Sequence, residues 1–312
     1  MRAHPRITGT GAVSCAGRGR RALWDAVALG KVCTAAPARV ALSGEVGEVD
    51  LSALDGVVPE HPSPAARFLA AAMAEALDQA GALPGRVGLF VGSAPGPVLD
   101  LVPGLAAITG PIVLIGPGDA AGNLALASGA NAIAAGEVDV AVCAAVAELA
   151  APAGRELPAE GAGVLVLEHP EHLDARGGSP LAVLTGHATG ADPHHATRPR
   201  PFHDALVSTI RGAAVKGVDW VCAPTGAPVE TTAIAHAFRA ATPAMSTTRS
   251  AIGHAGTAAG ALAAVVATSA LVTGVVPDGG ALDSPRPVRR VLVPAYGLSG
   301  AVCTIALATP HG

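Results

Sequence analysis

Residues 112–126 read IVLIGPGDAAGNLAL. The run Ile112–Ile115 is β-branched and apolar, Gly116-Pro117-Gly118 breaks it, and a helix of small residues follows with Asp119 at its mouth. A strand, a tight elbow and a helix N-terminus in succession make a place where a nucleophile or an anion is commonly held. Here that residue is a carboxylate. Asp119 has two readings. One is an N-cap that accepts N–H groups of the first helical turn at a gain of about 1 kcal/mol. The other is a role in chemistry or in a partner interface.

Outward from the elbow the same alternation continues. Before it, Arg6–Ala12 is a strand, Arg20–Leu29 a helix, Pro64–Ala80 a helix with Ser63 as candidate cap, and Val87–Gly92 a fully buried strand. After it, the helix ends at Gly136, and Val138–Ala145 and Gly161–Glu168 are strands. A second set follows: strand from Leu181 to Ala188, helix Phe202–Lys216, strand Trp220–Ala223, helix Val229–Ala240, long helix Thr257–Thr273, and strands Val288–Pro294 and Ala301–Thr309. The order is similar in both sets, so an α/β fold of two related halves is expected, residues 1–168 and 169–312, joined near His169–Gly178.

Composition narrows the classes. Half of the 312 residues are apolar but only 2% are aromatic, so the core is built from Ala, Val and Leu, which lets helices approach a sheet closely. A net charge of −4 with scattered basic residues gives no electrostatic footprint for nucleic acid. Cys15, Cys33, Cys143, Cys222 and Cys303 form no CxxC pair, and reduced thiols in a cytoplasmic protein are the plain expectation. The start MRAHPRITGTG has no apolar core of signal-peptide length. Ala255–Pro277 is uncharged, but its Ala, Gly and Thr content and its lack of basic or aromatic flanks mark a buried helix rather than a membrane span.

Two motif-like stretches carry little. Gly9-Thr10-Gly11 resembles the start of a dinucleotide fingerprint, but Ser14 stands where the third glycine is needed. His194-His195 with Asp192 and His203 has ligand-type residues, yet adjacent histidines on a strand point to opposite faces, and a polar surface loop is expected. No cofactor and no metal are implied.

Several segments together resemble one family, in order along nearly the whole chain. They are Ile7–Ser14, Leu23-Trp24-Asp25-Ala26 with Gly30-Lys31, Glu160–Glu168, Ser250-Ala251-Ile252-Gly253-His254, Gly274–Pro277 and the loop Gly297-Leu298-Ser299-Gly300. They are similar to the β-ketoacyl synthases. The resemblance implies a thiolase-like fold, two βαβαβαββ-type halves in five layers, and a dimer.

It also implies where the catalytic groups would fall. Counting back from Ala135–Val140, the family's nucleophilic cysteine falls on Asp119; its first histidine, in the segment before Glu230–Ile234, falls on Pro224; its second remains as His254. Arg249 stands for the family's lysine, and Leu298 for the aromatic gate of the glycine loop Gly297–Gly300, the candidate tunnel and oxyanion segment. Proline neither donates a hydrogen bond nor exchanges a proton, and a carboxylate is a poor acceptor of a thioester acyl group.

No intact catalytic set is left. An ionised Asp119 would also repel a malonyl carboxylate and its enolate. The chain therefore resembles a degenerate ketosynthase of the chain-length-factor type from type II polyketide and polyene systems. The resemblance implies a heterodimer with a catalytic ketosynthase subunit, a shared tunnel for a chain delivered by acyl carrier protein, and Pro111–Asp119 at the dimer interface. The alternative is an enzyme on the same fold, an acyltransferase, hydrolase or cyclase, using His254 with Asp119.

Overall fold

The computed structural model describes residues 4–39, 44–94, 98–100, 107–116, 118–149, 157–192, 203–213, 217–239, 242–277, 287–297 and 299–311. The first half runs β1 (Arg6–Ser14), the short β2 (Gly17–Arg18), α1 (Arg20–Ala28), α2 (Pro64–Ala80), β3 (Val87–Gly92), β4 (Ile112–Ile115), α3 (Ala121–Ala134), β5 (Val140–Ala147) and β6 (Gly161–Glu168). A short helix α4 (Pro170–Ala175) follows. The second half runs β7 (Ala182–Ala191), α5 (Asp204–Ala213), β8 (Trp220–Ala223), α6 (Pro228–Phe238), β9 (Ala244–Thr247), the turn α7 (Arg249–Ile252), α8 (Ala259–Thr273), β10 (Arg290–Tyr296) and β11 (Ala301–Ala308).

The strands lie along one path, β4-β3-β5-β6-β1 and then β7-β11-β10-β8-β9. Read from its outer edge, each run has the same order. Third, second and fourth strands are parallel, and the fifth lies antiparallel between the fourth and the first. Among the described residues the two runs pair where Arg6 and Ile7 face Val183 and Ala182. Among the described residues the second half shows the full βαβαβαββ order; in the first, no helix is described between β3 and β4.

Five layers follow from the contacts. Helix α2 covers the outer face of the first run, α3 and α8 lie between the runs, and α5 and α6 cover the outer face of the second. Small residues set the spacing. A Cβ at Gly9 or Gly11 would collide with the carbonyl oxygens of Ala76 and Ala72 on α2, so these glycines serve helix-on-strand packing rather than a phosphate site. Between the runs, Gly122 of α3 has no room for a side chain against Ala261 of α8. Helix α8 accordingly has buried residues on all sides. By composition Gly256–Thr273 could cross a membrane, but 78% of it is buried in the protein.

Local expectations held where the signals were local. Ser63 caps α2, its side chain accepting from Ala66 N–H, and Pro64 takes the first helical position. Strand β9 was not expected. It is a short edge strand held by pairing with β8, and its sequence AMST has no alternating pattern to read.

Candidate functional site

The turn before α3 and the turn before α8 are corresponding places in the two halves: each follows the third strand of its run and leads into a central helix. Because α3 and α8 cross at close range, the two turns meet. Asp119, on the first, is 4% exposed. Its Oδ2 lies 3.5 Å from Nε2 of His254 on the second.

His254 is held firmly. Its backbone N–H donates to Leu157 O at 2.7 Å and its carbonyl accepts from Ala159 N–H at 3.0 Å. Its Nδ1 accepts from Gly256 N–H at 3.2 Å. With Nδ1 an acceptor, the neutral ring carries its proton on Nε2, the nitrogen facing Asp119. The pair is thus a carboxylate and a donor nitrogen, each turned toward the other.

The expectation that Asp119 caps the helix is corrected. The cap residue of α3 is Ala120, and no side chain caps there. The Ala121 N–H is taken by the Gly118 carbonyl at 2.9 Å. Gly118, at φ +145°, makes the turn possible.

Pro224 follows β8, and its carbonyl accepts from Thr248 Oγ1 at 3.1 Å. The neighbouring acid Glu230, in the first turn of α6, is 1% exposed. Its Oε2 accepts from the N–H groups of Thr225 and Gly226 at 3.1 and 2.8 Å, while Oε1 is buried without a hydrogen-bond partner. Burial pushes this carboxyl up to about 7 and the Asp119 charge adds to the rise, against hydrogen bonds from Thr225 and Gly226 that pull it down. In the sequence Glu230 stands only as the first residue of the family-like stretch Glu230–Ile234, with nothing to mark it as buried; a Glu two residues after Pro228 looks like an ordinary first-turn acid.

A cavity of about 230 Å³ opens beside the elbow, walled by Ile115, Leu124, Gly116 and Gly118 on one side and Gly297 and Ser299 on the other. Gly297 and Ser299 therefore lie beside the elbow, with Gly300 completing their turn at φ +85°. Leu298 and Pro117 lie outside the described residues, as do His194 and His195.

Asp192 corrects the surface-loop reading. It is buried just after β7, and it ties down both ends of the glycine loop. Tyr296 OH donates to its Oδ2 at 3.0 Å, and its own N–H donates to Gly300 O at 2.7 Å. Burial and the Asp192 carboxylate push the Tyr296 phenol up. The sequence hid this contact because the two residues are far apart in the chain and each looks unremarkable alone.

The thiols are elsewhere. Cys143, Cys222 and Cys303 are buried in the core and Cys15 and Cys33 are partly buried. Burial raises all five above the ordinary thiol value, which makes them poor nucleophiles.

A repeated half with its fifth strand inverted, doubled around two central helices, defines the thiolase-like fold of ketosynthases. The comparisons agree. Residues 181–280 match the model described as the β-ketoacyl synthase C-terminal domain. A mitochondrial 3-oxoacyl-[acyl-carrier-protein] synthase of Arabidopsis thaliana is 35% identical over 144 residues, 41% of this chain and 31% of that protein. The synthase 2 of Coxiella burnetii is 33% identical over 139 residues, 40% of this chain and 34% of that protein. These matches span about a third of the relatives' length. Among solved structures, the ishigamide ketosynthase/chain length factor superposes with a TM-score of 0.83 at 22% identity, over 99% of this chain and 100% of that one. Residues 181–280 thus match a β-ketoacyl synthase C-terminal domain, and the whole chain shares the fold of ketosynthases.

Proposed function

We propose that this protein is a non-condensing subunit of the chain-length-factor type, which pairs in the cytoplasm with a catalytic ketosynthase and shapes a tunnel for a growing acyl or polyketide chain carried by acyl carrier protein. The observation that carries this reading is the Asp119–His254 pair. At the mouth of α3, where the family's resemblance puts a reactive thiol, a buried carboxylate faces the surviving histidine at 3.5 Å. Both ring nitrogens of that histidine face partners, Gly256 N–H and Asp119. Pro224 adds no proton-transfer group. The raised thiols leave no alternative nucleophile of that kind among the cysteines.

The partner surface has support in the edge strand β4. Ile112 and Leu114 are 47% and 62% exposed, and among the described residues β4 ends the strand path, bonded to β3. An apolar strand open on one edge is an aggregation hazard unless a partner covers it. Within Pro111–Asp119 the exposed side chains on the strand favour it as the contact, since Asp119 is buried in the single chain. A solved type II polyketide acyl-carrier protein complexed with its ketosynthase shares the fold, with a TM-score of 0.80 at 20% identity.

Co-expression with a ketosynthase encoded beside this chain tests the proposal. A stable 1:1 complex, with products whose length changes when this subunit is exchanged, is the expected result. A monodisperse protein that ignores the ketosynthase and leaves its products unchanged overturns it. A second reading, an acyl-transferring or hydrolytic enzyme using His254 and Asp119, rests on the same pair. It requires turnover of acyl carrier protein thioesters by the purified chain, lost in His254→Ala.

A further inference from the structure

On the outer face of the second half, away from the elbow, α5 and α6 border an open groove of about 440 Å³ lined by Asp204, Val207, Arg211, Ala235, His236 and Arg239. Two arginines and a histidine share its lining with one aspartate, in a chain whose net charge is −4. We propose that this groove binds a phosphate group, as a phosphate monoester or as free phosphate.

Two features set the arginines apart from scattered surface charge. Arg211 is oriented: its Nη2 donates to His236 O at 2.9 Å and its Nε to Ala237 O at 3.5 Å. These bonds use two of the five N–H groups of the guanidinium and offset the negative end of α6, which would otherwise repel an anion. Arg239 closes α6 at φ +54°, ψ −115°, a conformation that glycine adopts freely and that strains any residue with a side chain. The chain keeps a long cation where the backbone favours glycine. Arginine forks match phosphate oxygens in pairs.

Calorimetric titration of the full chain with inorganic phosphate and with phenyl phosphate, at ionic strength fixed by sodium chloride, tests the site. Saturable binding is expected, tighter for phenyl phosphate if the natural ligand is an ester and equal for the two if it is free phosphate. Arg239→Gly separates binding from folding: relief of the backbone raises Tm, while phosphate binding falls about tenfold or more with the loss of a charge-assisted contact. Arg211→Lys, which keeps the charge but loses the fork, also weakens it. Absence of saturable binding, equal competition by chloride, binding of poly-glutamate but not phosphate, or unchanged affinity in Arg239→Gly would each overturn the proposal.

Discussion

Asp119 Oδ2 and His254 Nε2 lie 3.5 Å apart, and they join corresponding turns of the two halves of the fold. Each turn stands between a third strand and a central helix. The contact therefore bridges the internal repeat at its centre, where Gly122 lets α3 approach α8.

If that contact is a structural tie, its two ends are coupled. Asp119→Ala and His254→Ala should each cost about 1–3 kcal/mol, since the first leaves a largely enclosed imidazole and the second a buried carboxyl without its partner. The double variant should fall short of the sum by about 0.5–3 kcal/mol. Urea unfolding of the four proteins measures the cycle, and strict additivity would show that the pair does not interact.

Restoring a thiol should not restore condensation. Asp119→Cys places a cysteine at the mouth of α3 but leaves Pro224 where a proton-transfer group is required. No chain elongation is expected when acyl and malonyl carrier-protein thioesters are supplied and products are read by mass spectrometry. Elongation by this single variant would show the correspondence of positions to be wrong.

Glu230 gives a pH dependence whose sign can be worked out. Its carboxyl titrates near 4.5 when unfolded and is pushed up to about 7 by burial in the fold. Between those values the unfolded chain releases the proton first. Stability therefore falls as pH rises through this window and is flat with respect to this group above it, a total of about 3 kcal/mol. Glu230→Gln keeps an acceptor for Thr225 and Gly226 N–H but cannot ionise. The variant should lose this slope and be the more stable protein at pH 8, as read by denaturant unfolding across the range.

Tyr296→Phe removes the hydroxyl that donates to Asp192 at 3.0 Å. A cost of about 1–3 kcal/mol is expected, because the carboxylate remains buried. Hydrogen exchange should rise at Gly297 and Gly300, the ends of the loop that Asp192 secures. Unchanged exchange there would mean that the Asp192 N–H bond to Gly300 O is sufficient by itself.

Leu114→Lys tests the partner surface. The side chain is 62% exposed in the single chain, so stability should shift by no more than about 0.5 kcal/mol. The complex with the ketosynthase should be lost in size-exclusion chromatography. An intact complex would move the interface away from β4.

Much of the fold was legible because its signals are local. Val87–Gly92 was read to the residue as a fully buried strand and Trp220–Ala223 and Gly161–Glu168 to the residue as strands, and α2 was read as Pro64–Ala80 with Ser63 as its cap. The misreadings share a cause. Asp119 looked like a cap because aspartate before a helix usually is one, yet its side chain is drawn to a histidine of the other half. Asp192 looked solvent-exposed because its neighbours in sequence are polar, yet Tyr296 buries it.

The chain by itself determined the alternation of strands and helices, the elbow at Gly116–Asp119, the doubling of the pattern and the absence of a cysteine at the elbow. Each of these is written in propensity and periodicity over a few consecutive residues. Only the tertiary structure decided that Asp119 faces His254, that Glu230 sits buried near Asp119 with one oxygen unpartnered, and that Asp192 anchors the glycine loop. These depend on how closely α3 and α8 cross and on which strands lie side by side, and those distances arise from packing between segments far apart in the chain.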